Sequence, residues 1–474
     1  KYVLEWERDP DLAGPRAKVT REQLNRLQSA YQSGKGEAGQ ILRDSVGELD
    51  ALLAQREELN TRRKAARDLS RGEDASAEEK TAAREEEKEI GKQIKKIDTR
   101  LDKSDMELLR MITKDWSKRV DVPTAQLWIQ RRYQDDFLNP TQRTPRSIAE
   151  YANADLFSGG KPFGGPWNAA LGYITTDLDS WPGWLQGWSP GNPNFHTDKY
   201  MGAIYIASAM RDHPHSKEWL AYGWDNFEDD LGKVLLAPDG AGYECPGYSG
   251  YSLSHQLQLA QIFVNAGFGN PVAENPMFKG TGRWHRKLIT PYDFRIDRRH
   301  AAPIGDTHRW DSGLGHGFGK LAKFYADEDP EFAAEMQGAW KLLTDNGLKI
   351  TNRLRTNLLD SDPSIPPMDP EDMDWSGEVF HGFGSLMRNN FGTDTESFLS
   401  VKAGPLRGHY HNDELSYHFY ANGSPVSLDY NCSYHPRGNH AALHNSMTFG
   451  RSGTVRNNQR GETVAAREQI YGTA

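Results

Sequence analysis

The stretch Gly408-His-Tyr-His-Asn-Asp-Glu-Leu-Ser-Tyr-His-Phe-Tyr-Ala-Asn-Gly-Ser-Pro-Val-Ser-Leu-Asp429 decides the fold of the second half of the chain. From Leu415 onward it alternates apolar and polar residues, and Asn422-Gly423 supplies the two positive-φ residues of a type I′ turn. The turn predicts a β-hairpin whose apolar side chains share one buried face, in the opposing pairs Leu415 and Tyr430, Tyr417 and Leu428, and Phe419 and Val426. Asp429 and His418 then lie on the polar face.

Histidines and acids in the same stretch point to a metal site. The His-x-His pair that ends at His411 presents both rings on one face of an extended segment. Asp429 follows on the returning strand and His444 in the next strand-like run, and two imidazoles with one carboxylate make a zinc shell with a fourth position open. Along a straight strand His411 would lie about 16 Å from Asp429, so either residues 412–414 curl back or His418 is the neighbour of Asp429. Ordinary surface histidines are the alternative interpretation.

Composition narrows the possible classes of function. The chain has 474 residues and a net charge of −9, which argues against general nucleic-acid binding but allows a local basic cleft. Two cysteines, Cys245 and Cys432, form no disulfide framework, and free thiols are expected. No apolar run approaches the roughly 20 residues of a membrane span. The chain begins at Lys1 without a signal sequence, which we interpret as a processed or trimmed form.

Two changes of composition divide the chain into three predicted parts. Residues 1–358 read as a helical solenoid or toroid, with a charged helical hairpin at about 41–113 that is broken at Ser70–Ser76. Residues 359–374 read as a linker, because they are rich in proline and aspartate. From 375 to 474 the pattern has period two, which predicts an antiparallel β-domain that the sequence leaves incomplete.

Two loops of the helical part present polar groups just before a helix. Asp239-Gly-Ala-Gly-Tyr-Glu-Cys-Pro-Gly-Tyr-Ser-Gly-Tyr251 carries phenols on a glycine-rich backbone, and a tyrosine can be a general base or acid when a nearby charge moves its pKa. Gly191-Asn-Pro-Asn-Phe-His-Thr-Asp198 offers Asn194 and His196 as hydrogen-bond donors for a carboxyl group. Taken alone, packing and helix capping are the more common reasons for such loops.

Together these stretches resemble the heparinase II/III-like polysaccharide lyases, a group that includes alginate lyases. The resemblance is most specific at 378–449, through Gly382-Phe-Gly-Ser-Leu-Met-Arg388, Lys402-Ala-Gly-Pro405, the quoted stretch from Gly408 and His444-Asn-Ser446. It extends more loosely to the two loops and to Ile304-Gly-Asp-Thr307. It implies an α+β multidomain fold, an incomplete (α/α) toroid followed by an antiparallel β-sandwich domain, truncated here at the C-terminus.

The resemblance also implies the chemistry, which is β-elimination at a uronic acid of an anionic polysaccharide. Asn194 and His196 would bind and neutralise the uronate carboxylate. Tyr251 would act as base, acid or both, and is preferred to Tyr248 because its separation from His196 is similar to that in the family. His409 would be the second catalytic group, on the β side.

The remaining implied site residues bind the substrate and a metal. Zinc, mainly structural, would be held by His411, Asp429 and His444, and no organic cofactor is expected. Further substrate contacts would come from Tyr248, Glu244, Arg309, Arg388 and Arg407. His440 is a rival metal ligand, because the gap between Asp429 and His444 is shorter than in relatives.

Several interpretations of function and substrate stay open at the level of sequence. Alginate, ulvan-like and glycosaminoglycan polymers are all candidate substrates, and the resemblance implies a secreted or periplasmic location. A cupin-like metal-dependent oxygenase or isomerase is the runner-up, suggested by His409, His411 and Glu414. A non-catalytic glycan-binding protein that has kept the site is the third possibility.

Overall fold

Helices precede an antiparallel sheet along the chain. The computed structural model describes residues 21–72, 74–101, 109, 112–113, 204, 208, 216–307, 313–345, 361–404, 408–429 and 443–445. Within them, every paired strand lies after residue 377 and all strand pairs are antiparallel. The predicted order of a helical half and an antiparallel half is therefore confirmed.

Three helices at the start of the described chain form a separate apolar core. They are α1 (Arg21–Ser33), α2 (Gly36–Arg71) and α3 (Ala77–Leu101). Ion pairs between Arg100 and Glu48 and between Arg67 and Glu87 show that α2 and α3 run antiparallel. The turn between them falls within the predicted break, and α3 begins with a capping box in which Ser76 and Glu79 bind each other's backbone N–H.

The larger helical core lies in the middle of the chain. It contains α4 (Ser216–Asp230) with a π-helical turn (Leu231–Leu235), α5 (Pro246–Ala266), α6 (Pro271–Glu274), α7 (Pro276–Lys287), α8 (Gly313–Tyr325) and α9 (Pro330–Asp345). Helix α8 packs against both α5 and α9, and the rings of Phe227, Phe263 and Phe278 meet at centroid distances of 6.1 and 6.3 Å. None of the described helices is long and apolar enough to cross a membrane.

Helix α5 has sharply defined ends, which fixes its first turn. Pro246 occupies the first helical position, where no backbone N–H is needed. Gly267 ends the helix with a φ of 83°, and the N–H of Phe268 binds the carbonyl of Phe263 at 3.0 Å, as in a Schellman motif. Cys245, just before the helix, is a buried free thiol, as expected from the sequence.

The described part of the predicted linker is packed on the helical core. The N–H of Met368 binds the carbonyl of Ala334 in α9 at 2.8 Å, and Ile365 and Met373 are buried among the helices. Gly338 makes this approach possible, because a Cβ there would come within 2.2 Å of the Met368 carbonyl oxygen. The segment from 361 to 374 therefore fastens the sheet to α9.

The sheet has five described strands in the simple order β1-β2-β3-β4-β5. The strands are β1 (Glu378–Phe380), β2 (Gly384–Asn389), β3 (Ser397–Lys402), β4 (Tyr417–Ala421) and β5 (Ser424–Ser427). Strand β3 pairs with β4 so that Phe398 lies opposite Tyr420 and Ser400 opposite His418. These residues belong to the buried face of the sheet.

The hairpin of β4 and β5 has the predicted turn, but the predicted buried face is wrong. Asn422 and Gly423 have φ values of 47° and 67°, as a type I′ turn requires. A register shift next to Phe419 pairs it with Ser427 instead of Val426, so the predicted register fails beyond the turn. Val426 is 61% exposed and Tyr417 is 40% exposed, although both were expected in the apolar face.

The helical half explains why polar residues of the sheet are buried. Tyr420 and His418 face the segment that follows α7, where the Tyr420 hydroxyl lies 3.1 Å from Nε2 of His300. Burial lowers the pKa of His418 to about 4. A buried hydroxyl needs a hydrogen-bond partner, and the partner of the Tyr420 hydroxyl comes from a distant part of the chain.

A buried cluster of charges joins the two halves. Glu396 binds Arg299, which follows α7, through two hydrogen bonds of 3.1 and 2.7 Å, and it also pairs with Arg388 of β2. The Arg388 guanidinium also binds the Ile289 carbonyl and lies over the Trp375 ring. Its burial lowers its pKa to about 10. One carboxylate thus compensates two buried guanidinium groups.

Replacement of Glu396 should therefore destabilise the protein strongly. Glu396→Gln keeps the shape of the side chain but leaves two buried cations without a counter-charge, and we expect a loss of about 3–5 kcal/mol in the free energy of unfolding. Denaturant unfolding followed by tryptophan fluorescence measures this loss. Asp345→Asn, which breaks the exposed pair with Lys341, is the matched control and should cost about 0.5 kcal/mol or less. Equal losses in the two variants would contradict a structural role for the cluster.

His285 should make the stability depend on pH. Burial lowers its pKa to about 4, while Nδ1 lies 2.9 Å from the Thr281 carbonyl. Because an unfolded histidine titrates near 6.5, the unfolded state binds one more proton between about pH 6.5 and 4, and stability falls as pH falls through that window. His285→Gln should reduce the slope of the unfolding free energy there by up to about 1.4 kcal/mol per pH unit. Unfolding curves at several pH values measure it, and parallel slopes for the two proteins would refute the assignment.

Candidate functional site

The first part of the site is a histidine held between the two halves of the fold. Nδ1 of His409 lies 2.8 Å from Oε1 of Glu244, whose side chain is only 2% exposed. A carboxylate oxygen accepts, so the proton of this hydrogen bond is on Nδ1, and Nε2 of His409 is left as the basic atom. The ring of His409 stacks on Tyr248 with centroids 3.4 Å apart and an interplanar angle of 3°.

The two candidate tyrosines lie one turn apart on α5. Tyr248, in the first turn, is the one that contacts His409. Tyr251 is 38% exposed and packs edge-on against His255, with ring centroids 4.2 Å apart. Tyr251 is the tyrosine predicted from its separation from His196, but the imidazole–phenol pair is formed by Tyr248.

The segment Ile304-Gly-Asp-Thr307 connects this pair to both halves. The backbone N–H of Asp306 binds the His409 carbonyl at 2.8 Å, and Oγ1 of Thr307 accepts from the N–H of Gly247 in α5 at 2.9 Å. Gly305 has a φ of 59°, and a Cβ there would lie 2.5 Å from the His409 carbonyl oxygen. Only glycine fits this contact without displacing His409.

The second part of the site is a group that could hold a metal ion. His411, Asp413 and His444 each offer a ligand atom, and these atoms lie within 4.8 Å of one another. Nε2 of His411 lies 2.8 Å from Oδ1 of Asp306, and Nδ1 of His444 lies 2.7 Å from Oδ1 of Asp429. The remaining ring nitrogens, Nδ1 of His411 and Nε2 of His444, are buried and have no hydrogen-bond partner among the described residues. Buried imidazole nitrogens with no other partner fit a metal site.

A curl of residues 412–414, one of the two arrangements that the sequence left open, brings Asp413 into this group. The N–H of His411 binds Oδ2 of Asp413 at 2.8 Å, and the N–H of Ser416 binds the Asp413 carbonyl at 2.7 Å. Leu415 has a φ of 60°, which turns the chain back toward β4. The carboxylate in the group is thus Asp413, whose Oδ1 lies 3.2 Å from Nδ1 of His444, whereas the predicted ligand Asp429 lies 2.7 Å from the same nitrogen and is not part of the group.

Two acidic side chains, Asp413 and Asp429, lie close together beside His444. Burial raises the pKa of Asp413, His444 opposes this rise, and the nearby charge of Asp429 adds to it. Burial opposes protonation of His444, but its hydrogen bond to Asp429 raises its pKa. Lys402 is buried beside Asp413 and Glu414, and its burial lowers its pKa to about 8 despite these carboxylates. A divalent cation would relieve the repulsion between Asp413 and Asp429.

Two predicted substrate contacts have other roles in the structure. Arg388 is a predicted substrate contact, but its side chain is only 3% exposed. Its guanidinium pairs with Glu396 and donates to the Ile289 carbonyl. Glu244 was also expected to contact substrate, but its buried carboxylate is turned toward His409. Five further predicted site residues lie outside the described part of the chain: Asn194, His196, Arg309, Arg407 and His440.

Three residues of the site were not identified from the sequence. Asp413 lies in the quoted stretch, so its residue type was a signal, but its role depends on the curl. Asp306 lies in a segment that the family resemblance had marked. Lys402 had no signal beyond its position in the Lys402-Ala-Gly-Pro405 motif, because a lysine in a strand is usually exposed.

Comparison with known proteins gives matches in structure only. No family model matches the chain, and no curated protein matches it in sequence. A solved heparinase III structure has a TM-score of 0.43 and 11% identity, covering 70% of this chain and 50% of that one. A heparinase III with methylated lysines has a TM-score of 0.44 and 16% identity, covering 72% and 53%. A mutant heparan sulfate lyase from Pedobacter heparinus has a TM-score of 0.41 and 11% identity, covering 71% and 49%.

The chain spans about half the length of these solved structures, which have 50%, 53% and 49% of their residues covered. All three carry names from the family that the sequence resembles.

Proposed function

We propose that the chain is a polysaccharide lyase that cleaves a uronic-acid-containing anionic polysaccharide by β-elimination. The product would carry an unsaturated uronate at the new non-reducing end. The observation that carries the proposal is the pair formed by His409 and Tyr248, an imidazole fixed by a buried carboxylate and stacked on a phenol. The motifs that resemble the heparinase-like lyases support the same chemistry. Such a substrate accords with a secreted or periplasmic location.

Elimination needs a base, an acid and a group that neutralises the carboxylate. The base removes the C5 proton, the C5–H electrons form the C4–C5 double bond, the C4–O4 bond breaks, and the acid protonates O4. An imidazole titrates near 6.5 and a phenol near 10 in model peptides, so at neutral pH the imidazole is the better base and the phenol the better proton donor. We therefore assign the base to His409 and the acid to Tyr248.

Glu244 supports this assignment by holding the imidazole. Its hydrogen bond to Nδ1 keeps the second nitrogen of His409 unprotonated in the neutral ring and sets the direction in which that nitrogen points. It also stabilises the imidazolium that forms after proton abstraction, since the two charges are opposite and the carboxylate is buried. Glu244 thus acts as a positioning residue.

Neutralisation of the uronate carboxylate is assigned to Asn194 and His196. These two residues come from the sequence resemblance, with Arg309 and Arg407 as further contacts. A carboxylate that accepts strong hydrogen bonds withdraws more electron density from C5, and the proton there becomes more acidic. Without such donors, the proposed base would face a proton that is too weakly acidic to remove.

We further propose that the His411 group binds zinc through His411, Asp413 and His444. Two imidazoles and one carboxylate are a common set of protein ligands for zinc. The ring nitrogens of His411 and His444 that have no hydrogen-bond partner among the described residues are suited to bind the ion. When bound, zinc would supply a positive charge that joins the loop of His411 to the segment of His444. Asp429 then orients His444 by accepting from Nδ1.

The arrangement of His409 disfavours the oxygenase or isomerase interpretation. A cupin-like centre would need His409 among the metal ligands together with His411. Here His409 turns its Nδ1 to Glu244 and its face to Tyr248, whereas His411 belongs to the other group. A non-catalytic glycan-binding protein could have the same site, so only the formation of an unsaturated product distinguishes the lyase from this alternative.

Substitution of the tyrosines tests the elimination. The protein is incubated with alginate, ulvan and glycosaminoglycans, and the ultraviolet absorbance of the unsaturated product is followed. Tyr248→Phe keeps the ring that stacks on His409 and removes only the hydroxyl, so we expect a loss of about 10²–10⁴-fold in kcat. Tyr251→Phe, one turn along α5, is the matched variant and should keep most of the turnover. The reverse outcome would move the acid to Tyr251, and full activity in both would rule out a tyrosine-based elimination.

Metal analysis of single variants tests the zinc site. Elemental analysis of purified protein should show near-stoichiometric zinc, which is lost in His411→Ala because one of two imidazole ligands is removed. Asp413→Asn should lose more zinc than Asp429→Asn, since only Asp413 is assigned as a ligand. His381→Ala, at an exposed histidine between β1 and β2, is the control. Zinc retained in His411→Ala would show that the site is wrongly placed.

A further inference from the structure

Asp306 contacts both parts of the site although it belongs to neither the proposed catalytic pair nor the proposed metal ligands. Its Oδ1 lies 2.8 Å from Nε2 of His411, and its backbone N–H binds the His409 carbonyl. Both side chains of the Asp306–His411 contact are largely buried, with exposures of 13% and 6%. A charge-assisted hydrogen bond in such surroundings is stronger than one in water.

The hydrogen bond to the Asp306 carboxylate determines the tautomer of the neutral His411 ring. A carboxylate oxygen accepts, so the neutral ring holds its proton on Nε2 and keeps a lone pair on Nδ1. Nδ1 is the buried atom of this ring that has no hydrogen-bond partner among the described residues. The rings of His411 and His444 lie 5.2 Å apart, so an ion between them is within reach of both.

The contacts of Asp306 are fixed from the helical side. Thr307 accepts from the N–H of Gly247 in the first turn of α5, and Gly305 fits closely against the His409 backbone. Asp306 is thus held in place by neighbours that do not depend on the orientation of His411. A ligand held by such a neighbour loses less conformational freedom when the ion binds.

We propose that Asp306 is the positioning residue of the metal site, holding His411 in the Nε2-protonated tautomer so that Nδ1 is the atom that binds the ion. The inference rests on the metal site of the proposed function and does not depend on the elimination. It adds a residue from the helical half to a site whose assigned ligands come from the β half. Partners of this kind typically change metal affinity by about 10–100-fold.

Zinc affinity of Asp306 variants is the first test. Protein stripped with a chelator is titrated with zinc against a competing chelator of known affinity. Asp306→Ala keeps the backbone N–H and removes only the carboxylate, so we expect zinc binding to weaken about 10–100-fold. Asp306→Asn keeps an acceptor oxygen and should weaken binding less. Asp345→Ala is the matched control, since it removes an exposed carboxylate that pairs with Lys341 and not with the His411 ring, and it should keep the wild-type affinity.

The tautomer itself is the second test. Long-range 1H–15N spectra of metal-free protein labelled at histidine nitrogens should show the proton of His411 on Nε2, and in Asp306→Ala part of it should move to Nδ1. A loss of affinity through general loosening of the segment would not produce this change.

The outcomes separate this inference from the proposed function. Unchanged zinc affinity in Asp306→Ala, with binding still lost in His411→Ala, would overturn the role of Asp306 and leave the metal site intact. A wild-type protein that binds no zinc would overturn both. The elimination is measured separately by absorbance, so its failure leaves these results unaffected.

Discussion

The burial of Glu396 between two arginines is the interaction on which the geometry of the site depends. Arg299 comes from the helical half and Arg388 from the sheet, and one carboxylate compensates both. Glu244 and Tyr248 lie on the helical side of the same interface, and His409 lies on the sheet side. Because a buried charge without its partner costs several kcal/mol, the two halves are held in one relative position. The stacking of His409 on Tyr248 requires that position.

Local patterns in the sequence were enough to predict the element types and the turn at Asn422-Gly423. They were not enough to predict which face of the hairpin is buried. Alternation identifies two faces but not the surface that covers one of them, and the covering surface contributes His300, far away in sequence. The apolar Tyr417 is therefore exposed, while the polar His418 is buried. Covering of this face by the helical half, which also supplies the hydrogen-bond partner of Tyr420, outweighs the pattern of hydrophobicity in this strand.

The site residues were predictable where residue type alone restricts the chemistry. His411 and His444 are common metal ligands, and they do meet in the structure. The choice between Asp413 and Asp429 depends on the positive φ of Leu415, which no local pattern indicates because leucine rarely adopts it. The choice between Tyr248 and Tyr251 depends on which turn of α5 meets the sheet, and a separation counted along the chain does not determine that.

The packed segment before β1 has a consequence for how the protein can be divided. Composition invites a cut between 359 and 374, yet Met373 and Trp375 are buried in the helical core and Met368 is bound to α9. Each fragment made by such a cut would expose apolar surface that the whole chain covers, and exposed surface of this kind promotes aggregation. We therefore expect limited proteolysis to spare residues 361–375. Fragments of the chain that begin or end within this segment should be insoluble when they are expressed separately.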